Sequence, residues 1–109
     1  IVEMVRKQGA KNVYFASAAP PVRYQNVYGI DMPATKELVA HGKTVEEIRL
    51  FIGADELIYQ DIEDLRMAAH IGNTNITSFE DSVFTGKYRA GKISEDYLSQ
   101  LENNRSSKE

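Results

Sequence analysis

Val13-Tyr14-Phe15-Ala16-Ser17-Ala18-Ala19-Pro20-Pro21-Val22-Arg23-Tyr24-Gln25-Asn26-Val27-Tyr28-Gly29-Ile30-Asp31-Met32-Pro33 is the stretch on which the fold turns. Val13–Ala16 is apolar and rich in β-formers, with no polar alternation. That pattern predicts a parallel strand covered on both faces. Pro20 and Pro21 end it, because proline has no amide hydrogen for a sheet ladder. Residues 22–30 read as an aromatic-rich loop. A helix is expected from Pro33 to about His41, with Leu38 and Val39 on its apolar side and Gly42 as its stop.

Upstream, Ile1–Gln8 has helical spacing (Ile1, Val2, Met4, Val5), and Gly9 is placed to end the helix. No capping residue precedes Ile1, so the chain reads as cut from something longer. No signal peptide is evident. Downstream, Thr44 and Glu47 form a capping box for a helix carrying Val45, Ile48 and Phe51 or Ile52, stopped by Gly53. Leu57–Tyr59 reads as a second short strand. Asp61 caps a helix whose apolar face is Ile62, Leu65, Met67 or Ala68, and Ile71. Residues 73–78 are turn-like. Ser82–Tyr88 reads as either a strand or an ordered loop. Ser94 caps a last helix packed through Tyr97, Leu98 and Leu101, and 103–109 is a polar tail expected to fray. This order predicts α/β architecture. Two or three strands make a poor sheet, so one edge is expected to lack its neighbours.

The 109 residues are enough for one small domain with a modest core. Hydrophobic residues make up 42% and charged residues 27%, which fits a globular chain. A net charge of −3 with no basic block argues against a nucleic-acid surface or an anionic membrane surface. The absence of cysteine excludes disulfides, thiolate metal sites and a cysteine nucleophile within this chain. No apolar run approaches the roughly 18 residues of a membrane span.

No glycine-rich phosphate loop is present, and no serine sits beside an obvious base. His41 and His70 each lie near an expected helix end, where a positive ring suits the dipole. Asp31 follows the first strand, on the side where α/β sheets bind ligands. It either caps the next helix or accepts a hydrogen bond from a ribose hydroxyl or base amine, and pattern alone favours the cap. Arg23 is a phosphate or carboxylate ligand, or a solvated loop residue. Tyr24 and Tyr28 stack on a base or lid the core. Glu46, Glu47 and Arg49 read as a solvated face, and Glu80 and Asp81 as surface charges.

Gly9–Pro20 and Asn26–Pro33 resemble glutamine phosphoribosylpyrophosphate amidotransferase (amidophosphoribosyltransferase). The likeness resumes at Glu37–Gly42, Glu46–Arg49, Ile52–Asp55 and Ser82–Tyr88. The resemblance covers nearly the whole chain in order. It implies that residues 1–102 are the C-terminal part of a phosphoribosyltransferase domain of the type I, Rossmann-like fold: a partial sheet with C-terminal helices. Residues 103–109 would be a disordered tail. Enzymes of this family release ammonia from glutamine and join it to phosphoribosyl pyrophosphate with Mg²⁺, giving phosphoribosylamine for purine synthesis. Purine nucleotides inhibit them. The resemblance implies a cytoplasmic homo-oligomer with Mg²⁺ ligands upstream of Ile1, and no catalytic or metal-binding residue in this chain.

By position, Asp31 and Met32 would lie near the ribose or purine of a bound substrate or nucleotide. Leu38 would lie beside the ammonia route. One branch of the family holds an iron–sulfur cluster through cysteines. Asn26, Glu80 and Val83 stand at three of those positions, so the chain resembles the cluster-free branch. The rival expectation is an autonomous, non-catalytic binding or interaction module.

Overall fold

The computed structural model describes residues 1–106. Its elements in order are α1 (Val2–Lys7), β1 (Tyr14–Ala16), a single 3₁₀ turn (Thr35–Glu37), α2 (Val45–Ile52), β2 (Glu56–Ile58), α3 (Ile62–His70), α4 (Ser82–Thr85) and α5 (Glu95–Ser106). The α/β class agrees with the sequence reading. β1 and β2 form a two-stranded parallel sheet, pairing Tyr14 with Glu56, Phe15 with Leu57 and Ala16 with Ile58. The Ser17 amide extends the ladder to the Ile58 carbonyl at 2.8 Å, and the Asp55 amide reaches the Val13 carbonyl at 2.9 Å.

Parallel strands need a crossover, and α2 supplies it. Its start is the expected capping box. Glu47 donates its amide to Thr44 Oγ1 at 3.2 Å, and its carboxylate accepts the Thr44 amide at 2.7 Å. Gly53, at φ 73°, closes the helix in the left-handed region. Ile48 is fully buried and packs with Ala40 and Leu57, while Val2, Val13 and Ala54 form a second small cluster joined by Ile52. Of the two alternatives for the α2 face, Ile52 turns inward and Phe51 stays 71% exposed. Asp55, just before β2, ties α1 to the start of β1. Its Oδ2 accepts the Val13 amide and the Arg6 guanidinium, both at 2.7 Å.

Several expectations are corrected. The helix from Pro33 to His41 is only the turn Thr35–Glu37, and Leu38 beyond it is extended (φ −71°, ψ 121°). The His41 amide, which an α-helix would give to the Glu37 carbonyl, instead donates to the Leu38 carbonyl at 3.1 Å, so the backbone runs in separate turns. The strand expected at Leu57–Tyr59 sits one residue earlier, at Glu56–Ile58. Ser82–Tyr88 is neither strand nor loop throughout, since its first four residues form α4. On α3, Met67 is 64% and Ile71 75% exposed, and of the expected apolar face only Ile62 and Leu65 are half-buried. α5 continues to Ser106, into the stretch expected as a tail, and 107–109 lie outside the described residues.

The sheet is not covered on both faces. Phe15 and Leu57 share the face that α2 and α1 approach, whereas Tyr14 and Ile58 on the other face are 66% and 59% exposed. The radius of gyration is 16.8 Å, with extents of 49 × 44 × 20 Å. A compact chain of this length would have a radius near 13 Å. The accessible surface is 8072 Å², against about 6,100 Å² for a compact monomer of this mass. The molecule is therefore a thin layer with one bare apolar face. No helix among the described residues is long and apolar enough to cross a membrane.

Candidate functional site

Both strands point their C-terminal ends the same way, toward the loop from Ser17 to Pro33 and the β2–α3 connection. That end is where α/β sheets bind ligands. A cleft of about 450 Å³ opens there between Pro20–Pro21, Tyr59–Asp61 and Phe84. Asp31, Met32 and Leu38 are not among its walls.

The loop is built by anchors rather than by regular structure. The Val83 carbonyl of α4 accepts the amides of Arg23 (2.9 Å) and Tyr24 (3.1 Å). The Arg23 guanidinium binds the carbonyls of Ala40, at 2.6 Å, and Lys43. Arg23 is thus neither a phosphate ligand nor solvated: it closes the turn before α2. His41 donates Nδ1–H to the Arg23 carbonyl at 2.7 Å, and its ring meets Tyr24 edge to face at 6.1 Å. The dipole role expected for His41 is absent, because no helix ends there. His70 does end α3, and its Nδ1–H donates to the Ile76 carbonyl at 2.7 Å.

Tyr24 lies over Gly86. A Cβ at Gly86 would come within 2.8 Å of the tyrosine ring, and Gly86 has φ +72°. The glycine is required twice over, by its backbone and by the ring above it. Tyr88 donates its hydroxyl to the Gln25 carbonyl at 2.7 Å. Burial, and then the charge of Glu80, pushes the Tyr88 hydroxyl above the ordinary tyrosine pKa. Tyr28 accepts the Ala90 amide at 2.9 Å. Tyr24 and Tyr28 therefore brace the loop.

Asn26, Glu80 and Val83 are committed elsewhere. Asn26 Oδ1 accepts the amides of Tyr28 (2.8 Å) and Ile30 (3.3 Å). Glu80 accepts the Ser82 amide at 2.8 Å and the Ser82 hydroxyl at 3.1 Å. The Val83 carbonyl holds the loop as described above. These groups offer no thiolate and do not fit an iron–sulfur cluster. Among the described residues, no three His, Cys, Asp or Glu side chains gather to hold a metal ion. Glu80 and Asp81 are not idle surface charges, since Asp81 is nearly buried and paired with Arg66. The carboxylate holds the Arg66 pKa above its usual value. Glu46, on the α2 surface, is drawn below the carboxylate range by Arg49.

Asp31 does not cap a helix. Its side chain is 89% exposed, and Oδ1 pairs with the Arg105 guanidinium of α5 at 2.8 Å. Arg105 also donates to the Met32 carbonyl. Thr35, two residues past Pro33, donates its amide to Glu102 at 2.7 Å. Gln25, at the other end of the loop, donates to the Leu98 carbonyl at 3.2 Å. Asp31, Met32 and Thr35 are therefore gathered along α5, while the half-buried Leu38 follows the turn. Arg105 escaped the sequence reading because it sits in a polar stretch with no apolar periodicity. The 3- and 4-residue spacing to Glu102 and Leu98 is the signal that would have found it.

No protein-family model matches the chain. It is 54% identical over 101 residues to the amidophosphoribosyltransferase of Haemophilus influenzae, which covers 93% of the chain and 20% of that relative. With the amidophosphoribosyltransferase of Escherichia coli it is 54% identical over 102 residues, covering 94% of the chain and 20% of the relative. With that of Saccharomyces cerevisiae it is 47% identical over 107 residues, covering 98% and 20%. The chain thus spans about a fifth of the length of the curated relatives it matches.

Proposed function

Because the chain belongs to the amidophosphoribosyltransferase family, we propose that it is a C-terminal portion of an enzyme making phosphoribosylamine for purine synthesis. The substrates of that parent enzyme are phosphoribosyl pyrophosphate and ammonia drawn from glutamine. The observation that carries this reading is an identity of 54% over 93% of the chain. In this proposal the chain is one layer of a type I phosphoribosyltransferase domain. The bare sheet face, with Tyr14 and Ile58 exposed, supports a layer that packs on more protein. It weighs against an autonomous module.

Asp31 and Met32 supply one wall of the phosphoribosyl or nucleotide site. The Asp31 carboxylate accepts a ribose hydroxyl, and the Met32 side chain gives apolar contact. Leu38 lines the ammonia route, where an apolar side chain offers no hydrogen bond to detain ammonia and excludes water. No catalytic or metal-ligating residue is assigned here. The ligands of the Mg²⁺ expected of the parent enzyme are proposed to lie upstream of Ile1. The parent is expected to be a cytoplasmic homo-oligomer regulated by purine nucleotides, and the isolated chain to be inactive.

The test is Asp31→Asn in the parent enzyme. Losing a hydrogen bond to a charged acceptor costs about 1.5–3 kcal/mol. The KM for phosphoribosyl pyrophosphate is expected to rise at least about tenfold, with the KM for glutamine unchanged. Unchanged affinity for both phosphoribosyl pyrophosphate and purine nucleotides would return Asp31 to a structural role.

A further inference from the structure

α5 turns one face to the loop. Leu98, Glu102 and Arg105 stand four and three residues apart, which places them on the same side of the helix. Each contacts the stretch 25–35: Leu98 through its carbonyl to Gln25, Glu102 to the Thr35 amide, and Arg105 to Asp31 and Met32. Within that stretch, Asn26 fixes the amides of Tyr28 and Ile30. The Glu37 carboxylate fixes the Ala34 amide at 2.9 Å. Between those two anchors, the contacts to Asp31 and Met32 come from Arg105.

We infer that Arg105 is the positioning residue for the Asp31–Met32 wall, holding the Asp31 carboxylate and offsetting its charge so that a phosphorylated ligand can approach. The inference rests on the reading of Asp31 and Met32 as part of a phosphoribosyl site. An exposed carboxylate has several rotamers and repels a polyanion. The guanidinium removes both obstacles. It pairs with Oδ1, leaving Oδ2 for a ribose hydroxyl, and the same Nη1 nitrogen donates to the carbonyl of Met32. A lysine carries the charge on a shorter side chain without the planar guanidinium, so it should replace arginine only in part.

The experiment uses the parent enzyme with Arg105→Ala, Arg105→Lys, Asp31→Asn and the Arg105→Ala/Asp31→Asn pair, assayed with phosphoribosyl pyrophosphate at several salt concentrations. For Arg105→Ala, KM is expected to rise by about three- to tenfold with kcat nearly unchanged, the rise shrinking as salt screens the Asp31 charge. Arg105→Lys should lie between wild type and Arg105→Ala. Adding Arg105→Ala to Asp31→Asn should change KM little further, because the carboxylate it served is gone. A KM raised by Asp31→Asn but untouched by Arg105→Ala would overturn this inference and leave the proposed site standing. A fall in kcat and thermal stability that is the same with or without Asp31 would also overturn it, as the mark of a merely structural residue. If neither Asp31→Asn nor Arg105→Ala moves KM, the proposed site itself fails and the inference with it.

Discussion

Gly86→Ala isolates a contact that joins the loop to α4. Two costs are expected. The first is conformational: an alanine at φ +72° is in the left-handed region, at about 1–2 kcal/mol. The second is steric. The new Cβ would stand 2.8, 3.0 and 3.1 Å from three carbons of the Tyr24 ring. That ring cannot simply swing away. Its backbone amide is bonded to Val83, and its other side meets His41. Overpacking of this kind costs about 1–3 kcal/mol. The control is Gly53→Ala, where φ is +73° and no atom lies within 4 Å of the added Cβ. It should show the conformational cost alone. Urea titration followed by circular dichroism gives both values. Gly86→Ala should be the more destabilising by the steric part, and Tyr24→Ala should remove most of that excess in a double-mutant cycle. Equal losses for Gly86→Ala and Gly53→Ala, or an excess that survives Tyr24→Ala, would refute the reasoning.

Thr44→Ala removes the acceptor of the Glu47 amide at the start of α2 and should cost about 1 kcal/mol in the same titration. Asp55 is held below the ordinary carboxylate range, first by the Val13 amide and then by Arg6. Its folded pKa is lower than its unfolded one, so its contribution is present above the unfolded value near 3.8 and is lost as pH falls from there through the lower folded value. Asp55→Asn should flatten that part of the stability–pH curve. In the parent enzyme, Leu38→Trp should depress glutamine-dependent synthesis several-fold while synthesis from added ammonium holds. Equal loss of both would remove Leu38 from the ammonia route.

Helix ends were the most legible part of the fold, because they are written in side-chain chemistry. Thr44 with Glu47, Asp61 and Ser94 all cap as their types predict. The parallel pairing was legible too, from short apolar runs separated by a helix. The segment 33–41 was misread because its composition does not show that the backbone straightens at Leu38, and its anchors come from far along the chain, from Glu102 to the Thr35 amide and from Arg23 to the Ala40 carbonyl. The covering of β1 was misread for a different reason. Apolar side chains mark a face that favours burial, and in this layer Tyr14 has no covering group. The candidate site was legible at Asp31 and Met32 only through resemblance. Arg105, which contacts both, lies in a polar stretch whose only signal is its spacing from Glu102 and Leu98.

Residues 29–33 are proposed to line a phosphoribosyl or nucleotide site. Amide hydrogen exchange in the parent enzyme, with and without phosphoribosyl pyrophosphate or a purine nucleotide, tests this most directly. Ligand is expected to slow exchange at Gly29, Ile30, Asp31 and Met32, and Arg105→Ala to weaken this protection. Exchange at those four amides that is unchanged by saturating ligand would contradict the proposal.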